Sequence, residues 1–156
     1  MSLKNLEMRD RVIEEMRGAL RSELGAKTAY SSLAWRLSGT ELEPVLERMH
    51  MEELELIEGL RGILIELSGR ALRRSLRRWL AAWALTMITY LTGTRFALRT
   101  CSEAEESITR WYLEFERFFA DSGQREISER FGMMARIKQL HHQTLLAWVE
   151  NMPRAR

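Results

Sequence analysis

Four amphipathic stretches of the sequence carry ionisable residues on the side that is otherwise apolar. These residues are Glu23 with Lys27, Glu53, Glu105 and, in the last stretch, Lys138 with His141. They interrupt stripes of Leu, Ile, Met, Phe and Tyr that recur at alternating three- and four-residue steps, the spacing that lines one side of a helix. Because an isolated buried charge is costly unless it is paired or coordinated, we expect these side chains to converge.

Carboxylates and imidazoles that converge inside a helical bundle are the ligands of di-iron and di-manganese centres. Such centres take one Glu from each of two helices and a Glu-x-x-His pair from each of the other two. In this chain Leu56 stands three residues after Glu53, where the histidine belongs. Lys138 stands three residues before His141, where the glutamate belongs. The sequence therefore retains four of the six ligands.

The remaining ligands allow three states of the site. In the metal-free state, the Lys138 ammonium and a protonated His141 balance the three glutamates. In the single-ion state, Glu53, Glu105 and His141 bind Fe(II), Mn(II) or Zn(II), which accept carboxylate and imidazole ligands. Glu23 is then an additional ligand. A full di-metal centre needs substitute ligands, for which the candidates are His50, His142 and Glu52.

Some of these positions also have plainer interpretations. Glu47 and His50 imitate a ligand pair, but Glu47 lies off the apolar stripe, which favours a solvated contact between neighbouring turns. His142 is one step off its stripe and is expected to be partly exposed. Glu105 could close a capping box with Ser102, unless its helix begins well before Ser102.

Glycine-containing breaks divide the chain into five helical segments. The segments are 3–38, 41–68, 70–92, 95–121 and 124–151. Gly after a helix and Ser, Thr or Asp before the next are stop and start signals. With two prolines and little alternation of polar and apolar residues, the chain is predicted to be all-α. We expect one domain over residues 1–156, an antiparallel four-helix bundle with segment 70–92 as an extra amphipathic helix in the crossover.

Composition and charge narrow the classes of function. The 156 residues are 46% hydrophobic and 29% charged, which is typical of a globular domain. A formal net charge of +2 and the lack of a recognition motif argue against a nucleic-acid partner. The single cysteine, Cys101, excludes an internal disulfide and favours a reducing, cytoplasmic setting. Residues 1–11 carry charges of both signs, so we expect no secretory signal there.

Segment 70–92 differs from the four striped stretches because it is cationic. Its helical face carries arginines, and two tryptophans flank that face. These residues are Arg70, Arg73, Arg74, Arg77, Arg78, Trp79 and Trp83. The apolar run that follows is shorter than the roughly 20 residues that a helix needs to cross a bilayer. We expect either a solvated face or a contact with an anionic membrane surface, the bundle, or a second copy of the chain in a homodimer.

Several of these motifs resemble the demethoxyubiquinone hydroxylases and, more loosely, the rubrerythrin-like domains of the ferritin-like superfamily. The residues that carry the resemblance are 22–26 followed by Tyr30, 44–46 leading to Glu53, 100–108 followed by Tyr112, and 140–142. The resemblance covers most of residues 20–148 and is most specific in the third stretch. The departures are Leu56 and Lys138, which replace ligands, and Trp111, where the family usually has a histidine.

The resemblance implies a ferritin-like fold and an iron-dependent oxidoreductase that acts on a quinone or an oxygen species. The family is thought to use a basic, apolar helix to reach a membrane-dissolved quinone, which implies a peripheral location at the inner face of the membrane. The departures imply an incomplete site that is metal-free or holds one Fe, Mn or Zn ion. A catalytically silent bundle that binds a partner remains the alternative.

Overall fold

The four bundle helices are present in the structure, a computed structural model that describes residues 3–68 and 93–152. The helices are α1 (Leu3–Arg36), α2 (Glu43–Ser68), α3 (Thr94–Asp121) and α4 (Arg125–Asn151). No strand occurs in the two described ranges. The prediction of an all-α helical bundle is therefore confirmed, with helix ends that differ from the predicted ones by at most two residues.

Glycines in the left-handed conformation follow α1 and α3. Gly39 has a φ of 80° and Gly123 a φ of 73°, which a residue with a Cβ adopts only at a steric cost. Glu43, the first residue of α2, accepts hydrogen bonds from the Ser38 hydroxyl at 2.9 Å and the Gly39 amide at 2.6 Å. These tight turns make α1–α2 and α3–α4 two helical hairpins.

Neighbouring helices of the two hairpins run in opposite directions. Tyr30 of α1 contacts Glu105 of α3, and Glu23 of α1 contacts Tyr112 of α3, so these two helices are antiparallel. Contacts between α2 and α4 follow the same reversed order. The bundle is thus antiparallel on every packed side.

The end of α2 and the beginning of α3 lie at opposite ends of the bundle. α2 ends beside the beginning of α1, where Arg9 Nη2 donates a hydrogen bond to the Leu67 carbonyl at 2.8 Å. α3 begins at the other end, where Ala97 and Leu98 pack with Leu33. The last residues of the first hairpin and the first residues of the second are therefore separated by the length of the bundle.

A layer of buried ionisable residues divides the core into two apolar clusters. The first cluster contains, from the four helices in order, Leu20, Leu56, Ile108 and Ala135. The second contains, in the same order, Tyr30, Met49, Leu98 and Leu145. On each helix the ionisable residue lies between the two sets, so the charged layer crosses the bundle at one level. Each buried Leu, Ile, Met or Phe contributes about 1.5–3 kcal/mol, which offsets the cost of burying charge.

The predicted extra helix over 70–92 lies outside the described residues, as do its arginines, Trp79 and Trp83. Over 3–68 and 93–152, no helix is long and apolar enough to cross a membrane.

Candidate metal centre

The structure brings together five of the six ionisable residues that interrupt the apolar stripes, whereas the sixth, Lys27, is only partly buried. Glu23, Glu53, Glu105, Lys138 and His141 are each at most 2% exposed. Each of them lies on the apolar stripe of its helix, so helical periodicity alone turns its side chain toward the bundle axis. Three helices supply one carboxyl group each, and α4 supplies both basic groups.

The Lys138 ammonium lies among the three carboxyl groups. Its Nζ is 2.8 Å from Glu23 Oε2, 2.5 Å from Glu53 Oε1 and 2.7 Å from Glu105 Oε2. It donates a hydrogen bond to each of the three side chains. Because an ammonium has three N–H groups, all of its donors are used. Lys138 thus supplies positive charge at the point where the carboxyl groups of three helices meet.

Burial and charge give the acids different protonation states. Burial raises the pKa of Glu23 to about 8, although Lys138 opposes this shift. Burial also acts to raise the pKa of Glu53, but Lys138 and His141 outweigh it and lower the value to about 2. Glu23 is therefore a neutral acid at pH 7. Burial acts to lower the pKa of Lys138, yet the three acids raise it above its ordinary value.

His141 is oriented by a carboxylate on its outer side. Its Nε2 lies 2.6 Å from Glu52 Oε2, and Glu52 is only partly buried. Burial acts to lower the pKa of His141, but interactions with Glu105, Glu53 and Glu52 raise it to about 9. His141 is therefore a cation at pH 7. Two cations, Lys138 and His141, thus lie beside the Glu53 carboxylate.

Two buried tyrosines hold the carboxyl groups from the α1–α3 side. Tyr30 Oη donates to Glu105 Oε1 at 2.5 Å, and Tyr112 Oη donates to Glu23 Oε1. Burial, together with the neighbouring carboxylates, raises the pKa of both phenols well above the ordinary value. Both tyrosines therefore remain protonated donors that fix the orientation of these two glutamates.

Three buried atoms of the cluster make no aligned hydrogen bond, although one of them lies 2.7 Å from Lys138 Nζ and another 3.3 Å from Glu53 Oε1. They are Glu53 Oε2, Glu105 Oε2 and His141 Nδ1. The same three residues can place one ligand atom each within 4.8 Å of one another, a spacing that suits a metal ion. A carboxylate on the second ring nitrogen, here from Glu52, is also the usual arrangement around a metal-binding histidine. This donor set therefore fits a single divalent cation.

The donor set does not fit the full di-metal centre. Leu56 is 2% exposed and packs in the first apolar cluster. Trp111 is 40% exposed at the surface. Lys138, at the position of the remaining ligand, is a cation. The structure thus has apolar or positive groups at the positions of the missing ligands.

The substitute ligands considered from the sequence have other contacts. His50 Nδ1 lies 3.0 Å from the Lys27 carbonyl, and Glu47 is exposed. His142 Nδ1 lies 3.0 Å from Ser102 Oγ. Of the three substitutes, only Glu52 contacts the cluster within the described residues.

One feature of the site was not anticipated from the sequence. The contact of Glu52 with His141 could have been suspected because an acid directly before a ligand position can reach a neighbouring helix. The start of α3 at Thr94 agrees with the predicted helix over 95–121 and removes the capping-box interpretation of Glu105.

In comparisons with known proteins, no family model matches the chain, and a search of curated proteins finds no significant match.

Proposed function

We propose that the chain is a ferritin-like protein, related to the demethoxyubiquinone hydroxylases, in which a lysine-centred ion network takes the place of the di-metal centre. The observation that carries this proposal is the Lys138 ammonium, 2.5–2.8 Å from carboxyl groups of three helices. A cation in this position supplies the charge that the acids require, so they do not depend on a metal.

Two further features support the ferritin-like relationship. The connection between α2 and α3 joins opposite ends of the bundle, as it does in ferritin-like folds with one long crossover. The acids and His141 also occupy helix positions that match the carboxylate and histidine ligands of the di-metal template.

The network neutralises the buried acids and leaves the bundle without di-iron oxygenase chemistry. In this proposal the protein acts by binding a membrane, because its arginine-rich segment 70–92 contacts an anionic membrane surface. A second copy of the chain remains the other partner that this segment could contact.

Metal analysis tests the replacement of the metal centre. The wild-type protein, purified without chelator from medium rich in iron, manganese and zinc, is expected to contain far less than one ion per chain. The double variant Leu56→His with Lys138→Glu restores both missing ligand types and is expected to bind metal. Leu56→His alone is the matched control, because it keeps the lysine cation. Stoichiometric metal in the wild type would overturn the proposal.

A second candidate is the binding of one divalent cation, favoured by the three mutually close ligand atoms of Glu53, Glu105 and His141, which make no aligned hydrogen bond. Such an ion would supply Lewis-acid or redox chemistry to the cluster. His141 would have to lose a proton whose pKa is about 9, so affinity should rise about tenfold per pH unit below that value.

Calorimetric titration with Zn(II) or Mn(II) at pH 6.5, 7.5 and 8.5 measures this dependence. Glu53→Ala should abolish binding, whereas Glu47→Ala, at an exposed position on the same helix, should not. Equal affinities of the wild type and Glu53→Ala for the metal ion would exclude this site.

A further inference from the structure

A cavity of about 550 Å³ opens between α1 and α3. Its walls are mainly apolar, and small residues of the two helices leave the space: Gly18, Gly25, Ala26, Ala29, Cys101 and Ala104. A Cβ at Gly25 would have no described atom within 4 Å. The space is therefore not filled by the helices that the structure describes.

The α2–α4 side of the bundle, in contrast, is tightly packed at its glycines. A Cβ at Gly59 would lie 2.7 Å from Met134 Cε, and one at Gly62 would lie 3.3 Å from Arg130 Nη2. Arg130 also donates a hydrogen bond to the Gly59 carbonyl at 3.2 Å. Glycine thus brings α2 and α4 into direct contact, whereas at Gly25 it leaves room beside α1.

The positions of the helix ends favour the open side. α2 and α3 lie diagonally in the bundle, because each of them packs against α1 and α4. Any path from the end of α2 to the beginning of α3 therefore crosses either the α1 side or the α4 side. The α1 side has the room for an additional helix.

The length of the chain between these ends matches the distance. α2 ends at the level of Arg9, and α3 begins at the level of Leu33, 24 residues further along α1. This distance is about 36 Å at 1.5 Å per residue. Residues 69–92 also number 24, so a helix over them spans the same distance. An extended chain would need only about 11 residues for it.

We propose that segment 70–92 docks in the α1–α3 cavity of its own chain as a helix, with its apolar side toward the bundle and its arginines turned away from it. The apolar side consists of large residues that recur at three- and four-residue steps: Leu72, Leu76, Leu80, Trp83 and Met87. Large side chains on one surface are complementary to the glycines and alanines on the other. Docking removes both apolar surfaces from water.

Charge determines which side of the segment faces the cavity. Arg21 lies at the exposed edge of the cavity and repels an arginine-rich face. On a helix, Arg74 and Arg78 point away from the stripe that contains Leu76 and Leu80. The arginines therefore remain in water when the apolar side is docked.

This inference goes beyond the proposed function, because it depends neither on the lysine-centred network nor on a membrane. It is tested on lipid-free protein. A failure of the membrane contact or of the metal analysis would therefore leave its result unchanged.

Distances between two spin labels, measured by pulsed EPR in solution, test the docking. All variants carry Cys101→Ala, which keeps a small residue in the cavity wall. One label is attached at Arg78→Cys, and the second at either Glu114→Cys on α3 or Met133→Cys on α4, both exposed. We expect narrow distributions for both pairs, with the distance to position 114 shorter by at least about 8–10 Å, one spacing between helix axes.

Each labelled protein is also measured after dilution with unlabelled protein, so that only pairs within one chain contribute. A shorter distance to position 133 than to position 114, or broad distributions for both pairs, would overturn the docking. Short distances that disappear on dilution would show that a second copy occupies the cavity, which would overturn the assignment to the same chain.

Gly25→Leu provides an independent readout, because its side chain competes with the docked segment for the same space. The melting temperature of the lipid-free protein should fall by several degrees. In an empty cavity it would rise, since leucine forms helices better than glycine. Ser31→Leu, at an exposed position of the same helix, is the matched control and should leave the melting temperature nearly unchanged. An unchanged or higher melting temperature of Gly25→Leu would overturn the proposal.

Discussion

Replacing Lys138 by methionine removes the central cation of the network while keeping an unbranched side chain of similar length. Glu53 and Glu105 then share one cation, His141. One of the two carboxylates must take up a proton, although its ordinary pKa is 4.5. Because pH 7 is about 2.5 units above this pKa and each unit corresponds to about 1.36 kcal/mol, protonation costs about 3.4 kcal/mol of unfolding free energy. The value agrees with the roughly 3–5 kcal/mol measured when one partner of a buried ion pair is removed.

The loss should depend on pH in a defined direction. A carboxyl group that is protonated only in the folded variant has a folded pKa above its unfolded value. The folded variant therefore loses stability as the pH rises. The difference in unfolding free energy between wild type and Lys138→Met should therefore shrink from about 3.4 kcal/mol at pH 7 to about 0.7 kcal/mol at pH 5. Urea denaturation in chelator, followed by circular dichroism at both pH values, measures it.

Lys27→Met is the matched control, because Lys27 is half-buried and makes no ion pair with any residue that the structure describes. It should change the unfolding free energy by less than about 0.5 kcal/mol. The reasoning is refuted if Lys138→Met leaves the stability of the metal-free protein unchanged. A loss of the same size at both pH values would refute the protonation argument in particular.

Two other predictions concern pH. The pKa values of Glu23 and His141 rise to about 8 and about 9 in the folded protein, so their contributions to stability are lost as pH rises through those values. The pKa of Glu53 falls from 4.5 to about 2, so its contribution is lost as pH falls through that range. The wild-type unfolding free energy should thus peak near pH 4.5–5 and decline toward pH 9. Urea denaturation at a series of pH values measures this dependence. A maximum above pH 8 would contradict the prediction. Glu52→Gln should lower the pKa of His141, measured by NMR titration of the ring, because a carboxylate on Nε2 is lost; an unchanged pKa would show that the inner acids alone determine it.

The helices could be predicted from the sequence because their apolar stripes are long and regular. The predicted helix ends were wrong by up to two residues at the turns. The end of α1 at Arg36, for example, depends on the conformation of Gly39 and on the Glu43 side chain. The fold class follows from periodicity, whereas the ferritin-like relationship stays a prediction.

The candidate site could be predicted in part. Stripe positions alone indicate that Glu23, Glu53, Glu105, Lys138 and His141 face the bundle axis, and the sequence therefore predicts the Lys138 ammonium among the acids of the metal-free state. Which carboxylate oxygens it contacts could not be derived, because a side chain with four rotatable bonds has many directions and only the three surrounding helices restrict it. The cavity of about 550 Å³ beside it was missed because it is formed by what residues such as Gly25 lack, and small side chains on a helix have no periodic signal of their own.

The charged layer between the two apolar clusters also determines how the helices align along their axes. If one helix slid by a single turn, about 5.4 Å, its acid or its lysine would enter an apolar cluster and the others would lose a partner. Apolar side chains of similar size tolerate such a shift far better, because they are interchangeable. The charged layer therefore specifies one alignment of the helices. It contributes little net stability of its own, but it makes every misaligned bundle much less stable than the native one.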